Sequence, residues 1–89
     1  MRMTVEDVFA IRNRGVVATG RIDSGAVRVG DTVQINGERS ATVGGIEMFP
    51  KKATEAWAGD TVGILLTGID KADVKAGDVL TAWHEATPL

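Results

Sequence analysis

Residues 15–22 read G-V-V-A-T-G-R-I, and the choice between a loop and a strand here decides the fold of the chain. Two glycines five apart, followed by a basic residue, match the first part of the phosphate-binding loop G-x-x-x-x-G-K-[ST]. The local chemistry points elsewhere. A phosphate loop needs flexible backbone between its glycines, whereas Val16 and Val17 are β-branched and favour extended chain. Ile22 stands where the Mg²⁺-binding hydroxyl belongs, and Arg21 replaces the lysine. The residues that follow, D-S-G-A-V-R-V-G (23–30), are not the helix such a loop must open. The segment is therefore read as a strand, with Gly15 and Gly20 as bends or bulges.

Outward from this segment, strand signals continue in both directions. Val5, Asp7, Phe9 and Ile11 alternate with Glu6, Val8 and Ala10, and the period of two resumes at Val27/Val29 and Val33/Ile35. T-V-G-I-L-L-T (61–67) is a continuous apolar run, suited to a strand buried on both sides or spanning a barrel interior. Asn36-Gly37 between two alternating segments predicts a hairpin with a type I′ turn, because both central residues there need positive φ. Ser24-Gly25, Val29-Gly30-Asp31, Ala58-Gly59-Asp60 and Ala76-Gly77-Asp78 predict further turns. About six strands of roughly 5 to 10 residues result, with one short helical turn within 71–77. Many short strands and frequent turns imply an all-β barrel or sandwich.

At 89 residues the chain is expected to form a single domain spanning residues 1–89. Apolar residues make up 44% and charged residues 25%, the composition of a chain that folds. Without cysteine there is no disulfide, thiolate metal site or Cys nucleophile, and a cytoplasmic address is expected. The opening M-R-M-T-V-E-D turns acidic where a signal peptide needs an apolar run, and no stretch reaches the ~20 apolar residues of a membrane helix. The net charge of −2 argues against general nucleic-acid affinity. Residues 1–30 nevertheless hold five basic side chains (Arg2, Arg12, Arg14, Arg21, Arg28) against three acids, so an anionic partner would meet this third of the chain.

With the strands placed, V-E-D-V-F-A-I-R-N-R-G-V-V-A-T-G-R-I-D-S-G-A-V-R-V-G-D (5–31) resembles the start of the second domain of bacterial elongation factor Tu. G-I-E-M-F (45–49), A-G-D-T-V-G-I-L-L-T-G-I (58–69) and A-G-D-V-L (76–80) match later segments in the same order. The resemblance implies a small six-stranded closed antiparallel β-barrel without catalytic residues, metal ligands or a cofactor of its own. GTP and Mg²⁺ would belong to a separate GTPase domain, and these residues contain neither that domain nor the third one. It further implies a share in the cleft for the aminoacylated 3′ end of tRNA. On this basis the amino-acid pocket is expected at Glu6, Asp7 and Phe9, the ribose contact at Ile11, the platform for the terminal adenine at Val17 and Leu65, and the acid beside that adenine at Glu47. Thr61 stands where the family has an asparagine near the amino group. Pro50 replaces an arginine beside the aminoacyl ester, Thr67 replaces another arginine, and the hairpin around Asn36-Gly37 is shorter than the family's.

Read without the resemblance, the same residues have plainer accounts. Glu6 and Asp7 are adjacent, so on a regular strand they face opposite ways and cannot form an acid-base pair. An exposed acid and a turn-capping acid are the default, and Phe9 with Ile11 would be a core pair. Trp57 is expected in a loop, either as a lid over the barrel end, the favoured reading, or as an exposed partner contact. Lys51-Lys52 reads as solvated charge within reach of phosphate. His84 is the only histidine and reads as an exposed tail residue. No pairing of nucleophile and base stands out, so an enzyme is not expected. Two functions remain. One is a binding module of a translation GTPase that contacts aminoacyl-tRNA or ribosomal RNA together with the GTPase and third domains of its parent factor. The other is a structural or protein-interaction barrel that no longer binds tRNA.

Overall fold

The computed structural model describes residues 1–82; residues 83–89, and with them the reading of His84, lie outside the described residues. The described residues form nine strands: β1 (Arg2–Ile11), β2 (Gly15–Ser24), β3 (Ala26–Arg28), β4 (Thr32–Ile35), β5 (Arg39–Met48), β6 (Lys51–Ala53), β7 (Glu55–Trp57), β8 (Thr61–Thr67) and β9 (Val79–Ala82). One 3-10 turn, Lys71–Asp73, falls inside the predicted helical stretch. Six strands pair in the order β4-β9-β1-β2-β8-β5, and a further β4–β5 pairing closes the ring. Every neighbouring pair in it is antiparallel. This is the six-stranded closed antiparallel architecture expected from the sequence. Closure leaves the ring without free edges of its own. The three remaining strands are short; β3 falls on the predicted Val27/Val29 alternation, while β6 and β7 lie where the sequence reading placed a loop. β6 pairs with the end of β5, and β3 with β7 forms a separate ribbon. None of the described helices is long and apolar enough to cross a membrane.

The period of two selects the core. Val16, Ala18 and Ile22 on β2, Val62, Ile64 and Leu66 on β8, Ala41, Val43 and Ile46 on β5, Val33 and Ile35 on β4, and Leu80 on β9 all point inward and are buried. At Gly20 the close approach of β1 excludes any side chain: a Cβ would lie 2.5 Å from the Thr4 carbonyl oxygen.

Strand β1 departs from regular alternation. Val5 pairs with Gly20 and Asp7 with Thr19, so Glu6 is an extra, unpaired residue of a bulge. The bulge shifts the phase: Met3, Val5 and Val8 are the inward residues, and Phe9 and Ile11 emerge on the outer surface. The core-pair account of Phe9 and Ile11 is thereby overturned. Asp7 closes the bulge, its Oδ1 accepting the Val8 N–H at 2.9 Å.

The three predicted Gly-Asp turns share one construction. In Arg28–Asp31, Trp57–Asp60 and Lys75–Asp78 the Asp N–H donates to the carbonyl three residues earlier, at 3.0, 3.0 and 3.1 Å. The Asp carboxylate accepts the N–H of that same residue, at 2.8, 2.8 and 2.9 Å. Each acid thus satisfies a backbone donor that the turn would leave unpaired. Asp78 also accepts from Asn36 Nδ2 at 3.0 Å, while Asn36 Oδ1 accepts the Val79 N–H at 2.8 Å. The hairpin tip is thereby fastened to β9. Asn36 and Gly37 both have positive φ, 53° and 71°, as a type I′ turn requires. The hydrogen bond from Asn36, then that from the Lys75 backbone, holds the Asp78 carboxyl below the usual carboxylate range against the opposing effect of burial.

The lid expected of Trp57 takes another form. Trp57 ends β7 and remains 54% exposed, whereas Val27 of β3 and Ala56 of β7 join the core. Paired residues of an antiparallel ribbon share a face, so burying the Val27–Ala56 pair turns the Ala26–Trp57 pair outward.

Candidate functional site

Once β1 has shifted phase, the outward residues of β1, β2, β8, β5 and β6 form continuous rows. One row runs Phe9, Val17, Leu65, Gly45, and the next runs Asp7, Thr19, Gly63, Glu47, Lys52, each residue directly opposite the one before it. Large side chains alternate with glycine in this patch, so the surface is indented. Leu65 leans over Gly44 and Gly45, and the Phe49 ring lies above Gly63 beside Val17. A side chain at Gly63 would begin 3.1 Å from Val17 Cγ1 and 3.5 Å from Phe49 Cζ. The space left by these glycines is a cleft of about 180 Å³. Ile11, Val17 and Leu65 supply its apolar wall, and Glu47, Lys52 and Arg14 its charges.

Four of the predicted site residues, Ile11, Val17, Glu47 and Leu65, line this cleft together. The others do not. Phe9 is the next residue in the Val17–Leu65 row, outside the cleft and 49% exposed. Asp7 lies one row over, opposite Thr19, with one carboxylate oxygen engaged by its own bulge. Glu6 is the exposed bulge residue. Thr61 pairs with Arg21, farther along the sheet, and is exposed. Pro50 occupies the β5–β6 connection next to Phe49. The sequence reading noted Arg14 and Lys52 only as basic residues within reach of an anion and did not place them in the site, and it missed the glycines 44, 45 and 63. The glycines could have been noticed as interruptions of strand-like segments, which signal close packing or an indentation.

The electrostatics are simple. The ion pairs among the described residues are Arg28–Glu55, Arg39–Asp73 and Lys75–Asp78, and none touches the cleft. Glu47 and Lys52 face each other across the β5–β6 pair without a salt bridge. Such a site can seat a planar apolar group on Val17 and Leu65, accept a hydrogen bond through Glu47 and donate through Lys52 or Arg14. It contains no arrangement of nucleophile and base.

A closed six-stranded antiparallel ring of this kind defines a small all-β barrel with a binding cleft on its outer surface. The family model for elongation factor Tu domain 2 matches residues 15–81, and the chain belongs to that family. Among solved structures it is similar to the apo form of translation elongation factor SelB from Methanococcus maripaludis, with 36% identity and a TM-score of 0.82. The match covers 90% of this chain and 18% of the SelB chain.

Proposed function

We propose that this chain is a single-domain, non-catalytic binding module of an elongation-factor-Tu-like translation GTPase, and that its cleft receives the aminoacylated 3′ end of tRNA. The observation that carries this reading is the convergence of Ile11, Val17, Glu47 and Leu65 on one cleft of about 180 Å³. The family resemblance assigns those four residues to the ribose, the adenine platform and the acid beside the adenine. Clefts that enclose a whole small molecule measure about 300–1,000 Å³, so this one suits the end group of a larger ligand. GTP and Mg²⁺ belong in this reading to a GTPase domain, and the address is cytoplasmic. Glu6, Asp7, Phe9 and Thr61 lie outside the cleft, and in this reading they meet the amino acid only when a second domain supplies the opposing wall. The chain alone therefore binds weakly.

The rival reading, a protein-interaction barrel without tRNA binding, draws support from Pro50 and from the exposed apolar side chains Phe9 and Phe49 beside the cleft. Titration of the isotope-labelled chain with charged and uncharged acceptor-stem RNA separates the two. Shifts confined to Ile11, Val17 and Leu65 methyls, abolished by Leu65→Glu, are the expected result. Shifts elsewhere, or none with either RNA at millimolar concentration, refute the 3′-end assignment.

A further inference from the structure

We propose that Lys52 is the specificity-determining cation of the cleft, holding the phosphodiester next to the terminal nucleotide so that a phosphorylated 3′ end is selected over a neutral nucleoside. This rests on the reading of the cleft as a 3′-end site. Position 50, where the family resemblance expects a guanidinium, is proline and offers neither charge nor N–H. Two residues on, Lys52 pairs with Glu47 and lines the cleft. Its neighbour Lys51 pairs with Met48 and, with the period of a strand, belongs to the other face. Lys52 thus brings a positive charge from β6 to a cleft to which position 50 brings none.

The surroundings suit an anion. Arg14 and Lys52 against Glu47 leave the cleft at +1 in a chain whose net charge is −2. Lys52 has no salt-bridge partner among the described residues, so no existing ion pair has to break when a phosphate arrives. At about 180 Å³ the cleft holds an end group only, and the rest of the strand lies outside it, on the solvent side to which the exposed Lys52 is open. A lysine ammonium is a compact point charge on a flexible stem, so it reaches a backbone phosphate without demanding one ligand geometry.

The test uses the chain with two probes, the single-stranded trinucleotide C-C-A and adenosine, and the variants Lys52→Gln, Lys51→Gln and Leu65→Glu. Lys52→Gln should weaken trinucleotide binding roughly two- to fivefold, the range of an exposed charge contact. It should also reduce the dependence of log affinity on log salt by about 0.7, one single-strand phosphate contact. Adenosine binding should not change, and Lys51→Gln should leave both probes at wild-type affinity. An unchanged salt slope in Lys52→Gln, equal losses from Lys51→Gln, or a matching loss of adenosine binding overturns the proposal. If Leu65→Glu abolishes trinucleotide binding while Lys52→Gln does not weaken it, only the role of Lys52 fails. If the unmodified chain binds neither probe, the reading of the cleft fails with it.

Discussion

Asp78 is the carboxylate whose removal should disturb the barrel most. Its side chain is only 8% exposed and accepts from the Lys75 N–H at 2.9 Å, Asn36 Nδ2 at 3.0 Å and Lys75 Nζ at 3.2 Å. Asp78→Ala removes both carboxylate oxygens and with them all three hydrogen bonds. The ammonium of Lys75 is 82% exposed and turns to water at little cost. The other two donors lose a charged, largely buried acceptor, a contact class worth about 1.5–3 kcal/mol each. They share one carboxylate, so the losses are not additive, and about 2–4 kcal/mol is expected. In a domain of this size that lowers the melting midpoint by roughly 10–25 °C. The pH dependence has a definite sign. Because hydrogen bonding, from Asn36 first, holds the Asp78 carboxyl below its ordinary value, its contribution is present above about pH 3.9 and is lost as pH falls through the lower folded-state value. Thermal melts followed by circular dichroism at pH 7, and stepwise from pH 5 to 2, measure both effects. The gap between wild type and Asp78→Ala should be wide at pH 7 and narrow in acid. A midpoint change below about 3 °C at pH 7, or a gap that stays constant down to pH 2, would refute this account of the Asn36–Asp78 latch.

Two further substitutions separate conformational from steric causes. Gly37 has φ of 71° and open space within 4 Å of where a Cβ would stand, so Gly37→Val should cost about 1 kcal/mol or more through backbone strain alone, while Gly37→Asn stays near wild type; midpoints from thermal melts decide it. Gly20→Val meets the Thr4 carbonyl of β1 at 2.5 Å, backbone that cannot turn aside, and should cost about 3 kcal/mol or more; a urea midpoint within error of wild type would show that β1 can move away.

Much of the architecture was legible because it depends on local rules. The alternation of Val16, Ala18 and Ile22, the apolar run Thr61–Thr67 and the three Gly-Asp turns each declare themselves within a few residues. Val27 and Val29 hinted at β3, but its pairing with β7, and the short strands β6 and β7 themselves, were not legible. Three residues are too few to show a period, and these form strands because a partner is already in place. The outward turn of Phe9 and Ile11 was hidden for a related reason. Nothing in V-E-D-V-F announces that Glu6 is skipped by its partner strand, and one unpaired residue reverses every side chain beyond it.

Order and chemistry along the chain are thus sufficient for an all-β barrel or sandwich with turns in known places, since side-chain period and turn stereochemistry act between near neighbours, and the family resemblance chose the closed barrel. Through family resemblance they also name Glu6, Asp7, Phe9, Ile11, Val17, Glu47, Thr61 and Leu65, of which Ile11, Val17, Glu47 and Leu65 come to line one cleft. The cleft itself required the closed ring. It arises where Gly45 and Gly63, from different strands, come beside Val17 and Leu65 and leave space that no linear reading contains. Register likewise brings Lys52 opposite Glu47 and sends Lys51 the other way. Pairing between distant strands sets which outward side chains become neighbours, and a shift of one residue at a bulge changes all of them.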